Sequence, residues 1–482
     1  MPASFFFYDL ETFGADPRTT RIAQFAAMRT DAELNVIEDP ISFYIQPSDD
    51  LLPSPGATLV TGITPQHALR EGANEATAFA RIFDEMARPE TCSLGYNSLR
   101  FDDEFMRCGF FRNFYDPYER EWKNGNSRWD LLDVLRLAHA LRPEGIAWPQ
   151  RDDGVTSFRL EHLAAANDVR EGDAHEALSD VRALLGLARR LRAAQPRLWE
   201  YALKLRDKRF VAQMLDPVRM LPLLHVSQRY PASRLCSAPV LPLARHPRID
   251  SRVIVFDLEQ DPDALLTLSP EAIADHLYTP TADLPEGAVR VALKEVHANR
   301  CPSLVAWDHL REPDFARLGI DRTRAESHAQ RLRDAGPALA EKVRQVFAAT
   351  MRERGGPGDP DGSIYDGFLD EGDKRKFATV RSLPPSKLGE HDFAFRDARL
   401  PELLFRYRAR NWPETLSFDE RARWDDYRRT RLARDAGLSE YSLDTYFAEI
   451  AALRAVHTDH GAKLALLDAL EDWGRQRAAE LA

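Results

Sequence analysis

Short apolar strands alternate with amphipathic helices over the first 195 residues, and this order constrains the fold more than any other feature of the chain. Three strand-like stretches, 4–9, 22–29 and 41–46, follow one another with only short turns between them. Such spacing predicts an antiparallel meander rather than βαβ units. A helical pattern at 74–86 then precedes a short apolar strand at 92–96. We therefore predict a mixed α/β sheet with helices, forming a first domain over residues 1–195.

From residue 196 onward the pattern of apolar, proline and glycine residues changes, and this change predicts further domains. A chain of 482 residues suggests about three domains, at roughly 150 residues each. Strand-like stretches among proline-rich loops such as 237–247, with a long helical pattern at 325–350, predict an α+β module over 196–352. The segment 353–362 is dense in Gly, Pro and Asp and predicts a linker. Helical patterns over 363–482 predict a helical C-terminal domain.

Composition narrows the class of protein. With 44% hydrophobic and 29% charged residues the chain is typical of a globular protein, which excludes a largely disordered one. It has no apolar run near the roughly 18 residues that a membrane helix needs. The apolar start lacks Lys and Arg, unlike a secretory signal, and the four scattered cysteines form no CxxC pair. We expect a cytoplasmic protein without a membrane segment. The net charge of −11 does not exclude a nucleic-acid partner, because binding depends on where charge is concentrated.

Two carboxylates stand at the end of the first apolar strand. In the sequence FYDLET, Asp9 and Glu11 are two positions apart, so in a strand both point to one face. Oxygen ligands held side by side in this way suit Mg²⁺ or Mn²⁺. Acidic residues at strand ends are also common without a metal, and this pair alone does not decide between the two.

A third carboxylate follows the strand at 92–96. In the sequence NSLRFD, Asp102 stands where the strand runs into a helix, so it can reach the same edge of the sheet. Asp103 and Glu104 follow directly, and the spacing alone does not identify the ligand. These residues are equally suited to stabilising the first amides of the helix.

The third acidic motif opens a later helix. In the sequence HEALSD, His175 stands at the helix entrance and Asp180 lies five residues further on. Asp173 and Glu176 have the spacing of a capping box and are expected to hold the helix start. His175 alone would be read as a solvated first-turn residue. Three carboxylate motifs in this order, with a histidine before the last acid, are an uncommon combination.

These three motifs resemble those of the DEDDh group of 3′–5′ exonucleases, which share a ribonuclease H-like fold. Further segments, among them RIAQFAAMRTD, TGITPQHA, SRWDLLDV and FRYRARNWPETL, resemble the bacterial exonuclease I family over nearly the whole chain. The resemblance implies an SH3-like second module and a helical C-terminal domain after the nuclease domain. It also implies a processive enzyme acting on single-stranded DNA.

The resemblance assigns roles to individual residues. Asp9, Glu11, Asp102 and Asp180 take the four acidic positions that bind two Mg²⁺ ions, for which Mn²⁺ can substitute. His175 takes the position of the general base. The tyrosine branch of the superfamily would place Tyr where this chain has Glu176, so the histidine branch is favoured.

Substrate and partner contacts are also implied by the resemblance. Six residues fall at positions that contact the substrate in the family: Glu11, Arg107, Tyr118, Trp122, Arg136 and Arg159. An arginine fork suits a phosphate, and aromatic rings suit stacked bases. Three further arginines resemble a basic pocket for the acidic tail of single-stranded DNA-binding protein: Arg142, Arg311 and Arg333. Surface charge or core packing would explain these residue types equally well.

The sequence therefore predicts a Mg²⁺-dependent exonuclease that degrades single-stranded DNA from the 3′ end to 5′-mononucleotides, in DNA repair and recombination. Its self-contained set of domains is compatible with a monomer. One alternative is a DEDDh nuclease that trims RNA, because the motifs do not read the 2′-hydroxyl. Another is a catalytically silent protein that binds nucleic acid and recruits partners. Phosphomonoester hydrolysis is a third and weaker alternative.

Overall fold

The computed structural model describes residues 2–170, 172, 176–280, 283–285, 290–349, 358–433 and 437–482. The backbone divides into two compact units. The first unit comprises Met1–Arg128, Arg170–Leu185 and Gly355–Ala482, and the second comprises Trp129–Val169 and Gly186–Arg354. The predicted domain boundaries at 195, 352 and 362 stay predictions, and residues 353–357 of the expected linker lie outside the described residues.

A mixed five-stranded sheet is built from the strands predicted first. Its strands are β1 (Ser4–Thr12), β2 (Ile22–Asp31), β3 (Ile41–Tyr44), β4 (Thr91–Gly95) and β5 (Ser127–Asp130), in the order β3-β2-β1-β4-β5. The first three strands form the predicted antiparallel meander, and β4 runs parallel to β1. Because β1 lies in the middle of the sheet, its apolar run is buried on both faces.

Helices pack on this sheet and continue to the end of the first unit. Those before residue 186 are α1 (Pro55–Thr61), α2 (Pro65–Glu71), α3 (Glu75–Met86), α4 (Asp102–Arg112) and the start of α7 (Ala177–Ala194). The C-terminal ones are α15 (Glu371–Ser382), α16 (Arg399–Asn411), α17 (Phe418–Ala433), α18 (Leu443–Val456) and α19 (Gly461–Leu481). Gly109 lets α4 approach α3 closely, since a Cβ there would lie 1.9 Å from Cζ of Phe79. This contact helps to fix the helix that begins at Asp102.

Buried ion pairs hold the C-terminal helices to the first 128 residues of the first unit. Asp361 and Asp50 are both fully buried, and Arg410 donates to the two carboxylates at distances of 2.6–3.3 Å. Arg406 also donates to Asp361, at 3.1 Å. Buried charges require such partners, because an unpaired charge in the interior is costly.

The second unit holds a second, antiparallel sheet. Its strands are β6 (Leu223–Val226), β7 (Ser237–Arg245), β8 (Arg252–Asp257), β9 (Leu293–His297) and β10 (Ser303–Ala306), in the order β10-β6-β7-β8-β9. Its helices are α5 (Leu131–Leu141), α6 (Leu160–Ala166), α8 (Pro196–Lys204), α9 (Lys208–Met214), α10 (Asp263–Thr267), α11 (Pro270–Tyr278), α12 (Glu312–Leu318), α13 (Arg322–Asp334) and α14 (Pro337–Ala349). Together with the helical C-terminal segment, this α+β unit confirms the predicted fold class.

Two local predictions in the second unit were wrong. The proline-rich segment 237–247, expected as a loop, is largely β7, and its ladder tolerates proline because the register shifts between Pro242 and Ala244. The single helix expected over 325–350 is two helices, α13 and α14. Gly336 has a φ of +66°, and Pro337 begins α14, so the first helix ends there.

Within the described part of the chain, every helix is too short or too polar to cross a membrane. The cytoplasmic location stays a prediction.

Candidate metal centre and substrate-contact residues

Three of the predicted carboxylates converge in the first unit. Asp9 and Glu11 project from β1, and Asp180 lies near the start of α7. Asp9, Glu11 and Asp180 each offer an oxygen within 4.8 Å of the others. This group of three is called the carboxylate cluster below. The period of a β-strand explains why residues two apart in β1 both reach it.

Asp102 completes the acidic set as the first residue of α4, where it is buried. Burial raises the pKa of Asp9 well above its ordinary value, and the negative charges of Asp102 and Glu11 raise it further. Burial, followed by the charges of Asp180 and Asp102, raises the pKa of Glu11 to about 8. Concentrated negative charge of this kind calls for a cation.

The donor set fits a hard divalent ion. The cluster offers only carboxylate oxygens, which Mg²⁺ and Mn²⁺ prefer over the nitrogen and sulfur ligands typical of zinc. Burial and the neighbouring carboxylates raise the pKa of Asp9 and of Glu11, so a bound cation would stabilise both carboxylates as anions. Asp9, Glu11 and Asp180 are therefore the residues that could hold a metal ion, and the part of Asp102 in such a site stays a prediction.

The start of α7 is held by its own acidic residue. Glu176 Oε2 accepts a hydrogen bond from the backbone N–H of Ser179 at 2.8 Å, so Glu176 itself caps α7, which begins at Ala177. This contact orients the turn that carries Asp180. The capping box predicted for Asp173 and Glu176 stays a prediction. His175 and Asp173, which complete the motif, lie outside the described residues. The role of His175 as general base stays a prediction.

Asp103, which the sequence could not separate from Asp102, has a different environment. It is 1% exposed and accepts hydrogen bonds from Tyr8 Oη at 2.7 Å, from Arg128 Nη1 at 2.8 Å and from Arg120 Nη2. Burial alone would raise its pKa, but the charges of Arg120 and Arg128 hold the pKa of Asp103 below its usual range. Its oxygens are engaged by these donors. Asp103 therefore links the start of α4 to β1 beside Asp9.

Arg170 is a site residue that sequence reasoning missed. Its Nη1 donates to Asp180 Oδ1 at 2.6 Å, and the two side chains are 15% and 13% exposed. Its charge also opposes the rise in the pKa of Asp9. No motif indicates Arg170, because it stands ten residues from Asp180 in a segment without regular structure.

Two of the predicted substrate contacts line one cleft in the second unit. The cleft has a volume of about 710 Å³, and Arg136, Phe158 and Arg159 contribute to its wall. The Arg159 side chain is 71% exposed, with Glu161 at 3.8 Å. Arg136 is buried, donates to Asp133 at 3.0 Å and lies 5.5 Å from the Phe158 ring. A positive, partly aromatic wall suits a nucleic-acid strand.

Three other predicted contacts lie in the first unit. Arg107 is buried on α4 and makes paired hydrogen bonds to Glu121 at 2.7 and 2.9 Å. Its guanidinium lies 5.2 Å from the Tyr118 ring, and Tyr118 is half-buried. Trp122 is 65% exposed. Their contact with substrate stays a prediction.

Two of the three arginines assigned to the partner pocket meet at one carboxylate. Arg142 pairs with Asp314 at 2.5 Å, and Arg311 pairs with the same carboxylate at 3.4 Å. The Arg311 side chain is 64% exposed, whereas that of Arg142 is 29% exposed. Arg333, on α13, instead donates to the carbonyl oxygen of Met220 at 2.9 and 3.1 Å.

Family models match the chain in three consecutive stretches. They describe an exonuclease over residues 6–188, an exonuclease I SH3-like domain over 206–349 and an exonuclease I C-terminal domain over 358–477. A mixed sheet that carries a carboxylate cluster, within a chain that matches an exonuclease model, defines a nuclease, which is a hydrolase.

Individual relatives agree with this class. Exodeoxyribonuclease I of Escherichia coli strain K12 is 44% identical over 475 residues, covering 98% of each chain. Exonuclease I of Methylocaldum szegediense superposes with a TM-score of 0.94 at 45% identity, covering 100% of both chains. The zinc-bound form of the E. coli exonuclease I complex with single-stranded DNA superposes with a TM-score of 0.92 at 43% identity, covering 99% of this chain and 100% of that one. The chain belongs to the exonuclease I family, and the resemblance seen in its three motifs is confirmed.

Proposed function

We propose that the protein is a Mg²⁺-dependent exonuclease that degrades single-stranded DNA processively from its 3′ end to 5′-mononucleotides, in DNA repair and recombination. One observation carries the proposal: Asp9, Glu11 and Asp180 converge within 4.8 Å in a chain whose family models include an exonuclease domain. Single-stranded DNA is the ligand of the E. coli relative described above. Mn²⁺ is expected to substitute for Mg²⁺, since both prefer oxygen ligands.

Each residue of the proposed active site has its own role. Asp9, Glu11, Asp102 and Asp180 hold the ions and orient them. Divalent ions held there would supply Lewis-acid stabilisation of the charge that develops at the scissile phosphate. His175, with a reference pKa near 6.5, accepts the proton of the attacking water at neutral pH. The water oxygen bonds to phosphorus, the bond from phosphorus to the 3′ oxygen breaks, and that oxygen takes up a proton, so a 5′-mononucleotide and a new 3′-hydroxyl end result.

The cleft residues position the strand. Arg159 is exposed and free to rotate toward a phosphate, which a guanidinium binds through paired hydrogen bonds. Phe158 offers a ring beside the Arg136 guanidinium, and stacking on such a ring contributes about 1–3 kcal/mol per base. Contacts to phosphates and ring faces do not depend on base identity. A nuclease that advances through any sequence needs this tolerance.

The test uses a single-stranded DNA oligonucleotide labelled at its 3′ end in one reaction and at its 5′ end in another. With Mg²⁺, the wild-type protein is expected to release labelled mononucleotide at once from the 3′-labelled strand only. Asp180→Asn keeps the side-chain volume and is expected to lose the activity by orders of magnitude. Asp334→Asn, at the end of α13, is the matched control and is expected to act as wild type.

Different outcomes would select the alternatives. Early release from the 5′ label would reverse the proposed polarity. Preference for a matched RNA strand would favour an RNA-trimming nuclease. Tight binding of DNA without release in either Mg²⁺ or Mn²⁺ would indicate a silent binding protein.

We also propose that single-stranded DNA-binding protein docks its acidic tail on Arg142, Arg311 and Arg333. The exposure of Arg311 and its position beside Arg142 support this, because both guanidiniums can exchange Asp314 for another carboxylate. Arg311→Ala is expected to weaken stimulation by that protein without changing basal activity. Arg396→Ala, which removes an arginine that is 77% exposed, is the control. Lost basal activity in Arg311→Ala would place the residue in the substrate path. Whether the enzyme works as a monomer stays a prediction.

A further inference from the structure

Arg170 makes an ion pair with a proposed metal ligand. Its Nη1 donates to Asp180 Oδ1 at 2.6 Å, which is the length of a strong, charge-assisted hydrogen bond. Both side chains are largely buried, at 15% and 13% exposure. Water therefore screens this pair less than it would screen a pair on the open surface.

Asp180 is the main anchor of the guanidinium. The other terminal nitrogen of Arg170, Nη2, is buried and has no hydrogen-bond partner among the residues that the structure describes. A guanidinium has five N–H donors, and a buried donor without a hydrogen-bond partner does not stabilise this position of the side chain. If another cation takes over the charge of Asp180, Arg170 loses its principal contact.

The charges of the carboxylate cluster also favour a neutralising role for Arg170. Asp9, Glu11 and Asp180 offer oxygens within 4.8 Å of one another, so their negative charges repel. Arg170 is a cation that offsets this repulsion through its pair with Asp180 at 2.6 Å. A metal ion bound by the same carboxylates would bring two further positive charges close to the guanidinium.

We propose that Arg170 is a positioning residue that serves as the counter-ion of the metal-free cluster and competes with the divalent ion for Asp180. This inference rests on the proposed function, since it takes Asp180 as a metal ligand. While the ion pair holds, the lone pair of Oδ1 that faces Arg170 is not available to a metal. Binding an ion then requires the ion pair to loosen, and this requirement lowers the affinity of the cluster for metal.

The experiment measures metal binding by the full-length protein without DNA. Mn²⁺ is titrated calorimetrically into wild type, Arg170→Gln and Arg170→Lys, and thermal unfolding is recorded in chelator and in saturating Mn²⁺. An arginine beside an aspartate shifts its proton affinity by about 10- to 1000-fold, so removing the charge is expected to tighten Mn²⁺ binding by at least about tenfold. Arg170→Lys keeps the charge and is expected to stay near wild type.

Unfolding separates this role from a merely structural one. Arg170→Gln is expected to lower the unfolding temperature in chelator but much less in saturating Mn²⁺, because the ion then neutralises the cluster. Arg399→Gln is the control, since it breaks an Arg–Asp pair of the same length, 2.6 Å, and similar exposure, 14% and 15%, away from the cluster. It is expected to destabilise the protein equally with and without Mn²⁺ and to leave Mn²⁺ affinity unchanged.

Several results would overturn the inference. Unchanged or weaker Mn²⁺ binding in Arg170→Gln, or an equal loss of stability in both conditions, would leave Arg170 as a structural residue. Unchanged Mn²⁺ binding with a raised KM for the oligonucleotide would make it a substrate contact. An Arg170→Lys protein that matches Arg170→Gln would refute the charge argument. If wild type and Asp180→Asn bind no Mn²⁺ at all, the proposed function itself fails, and that outcome is distinct from the others.

Discussion

Asp102 and Asp103 are adjacent carboxylates for which the structure predicts opposite effects of the same substitution. Asp103 is 1% exposed and accepts hydrogen bonds from Tyr8, Arg120 and Arg128. Asp103→Asn keeps the volume but removes the carboxylate that pairs with two buried guanidiniums, of which Arg128 keeps Glu121 at 3.1 Å. Breaking a buried pair in this way costs about 3–5 kcal/mol. Since a domain has only about 5–15 kcal/mol of stability in total, the loss is severe.

Asp102→Asn is expected not to lower the stability of the protein, in contrast to Asp103→Asn. Asp102 raises the pKa of both Asp9 and Glu11, so its charge opposes folding when no metal is bound. Removing it relieves repulsion, and the free energy of unfolding in chelator is expected to stay within about 1 kcal/mol of wild type or to rise. Activity with Mg²⁺ is expected to fall by orders of magnitude, because a proposed ion ligand is lost.

Urea unfolding in chelator, followed by tryptophan fluorescence, and nucleotide release with Mg²⁺ test both variants side by side. Each substitution serves as the control for the other, because the residue type and the helix are the same. An Asp102→Asn protein as unstable as Asp103→Asn, or an Asp103→Asn protein as stable as wild type, would refute the assignment of one residue to the metal centre and the other to the scaffold.

Three further predictions concern other parts of the molecule. Burial, and then the charge of Arg317, lower the pKa of His139 to about 4, so protonation favours the unfolded chain. The free energy of unfolding is therefore expected to fall by about 2 kcal/mol as the pH drops from 6.5 toward 4. The unfolding midpoints of His139→Gln should show no such fall. Asp361→Asn is expected to lower the free energy of unfolding by about 3–5 kcal/mol, because Asp361 is fully buried among arginines. Asp370→Asn, in an exposed pair, should lower it by under about 0.5 kcal/mol. Equal losses in thermal unfolding would contradict this reasoning. Arg159→Ala is expected to make the slope of log K against log salt shallower by about 0.7 for single-stranded DNA, and an unchanged slope would remove Arg159 from the phosphate contacts.

The main architecture of the first sheet could be predicted from local sequence alone. The period of two placed Asp9 and Glu11 on one face of β1, and short turns predicted the meander of β1, β2 and β3. Helical periodicity likewise predicted α3, close to its observed bounds. These features depend on residues near one another in the chain, where spacing and turn length dictate geometry. The three acidic motifs are local in the same sense, and they sufficed to indicate the family.

Local patterns failed where the tertiary environment overrode them. The prolines of 237–247 predicted a loop, but β7 has a neighbouring strand on each side, and a register shift accommodates the prolines. Gly336 and Pro337 divided a pattern that periodicity alone read as one helix. In both cases a few backbone positions decided the outcome against the average preference of the segment.

The roles of individual charged residues were decided only by the tertiary structure. Asp102 and Asp103 are indistinguishable in sequence, yet the Tyr8 hydroxyl that binds Asp103 comes from a strand 95 residues away. Arg170 belongs to no motif, and the role proposed for it follows from its contact with Asp180, ten residues further along the chain. Electrostatic energies depend on distance and burial in space, which no spacing along the chain encodes. The sequence therefore determined which chemistry the chain carries, and the fold determined which of the two adjacent carboxylates is held by buried arginines.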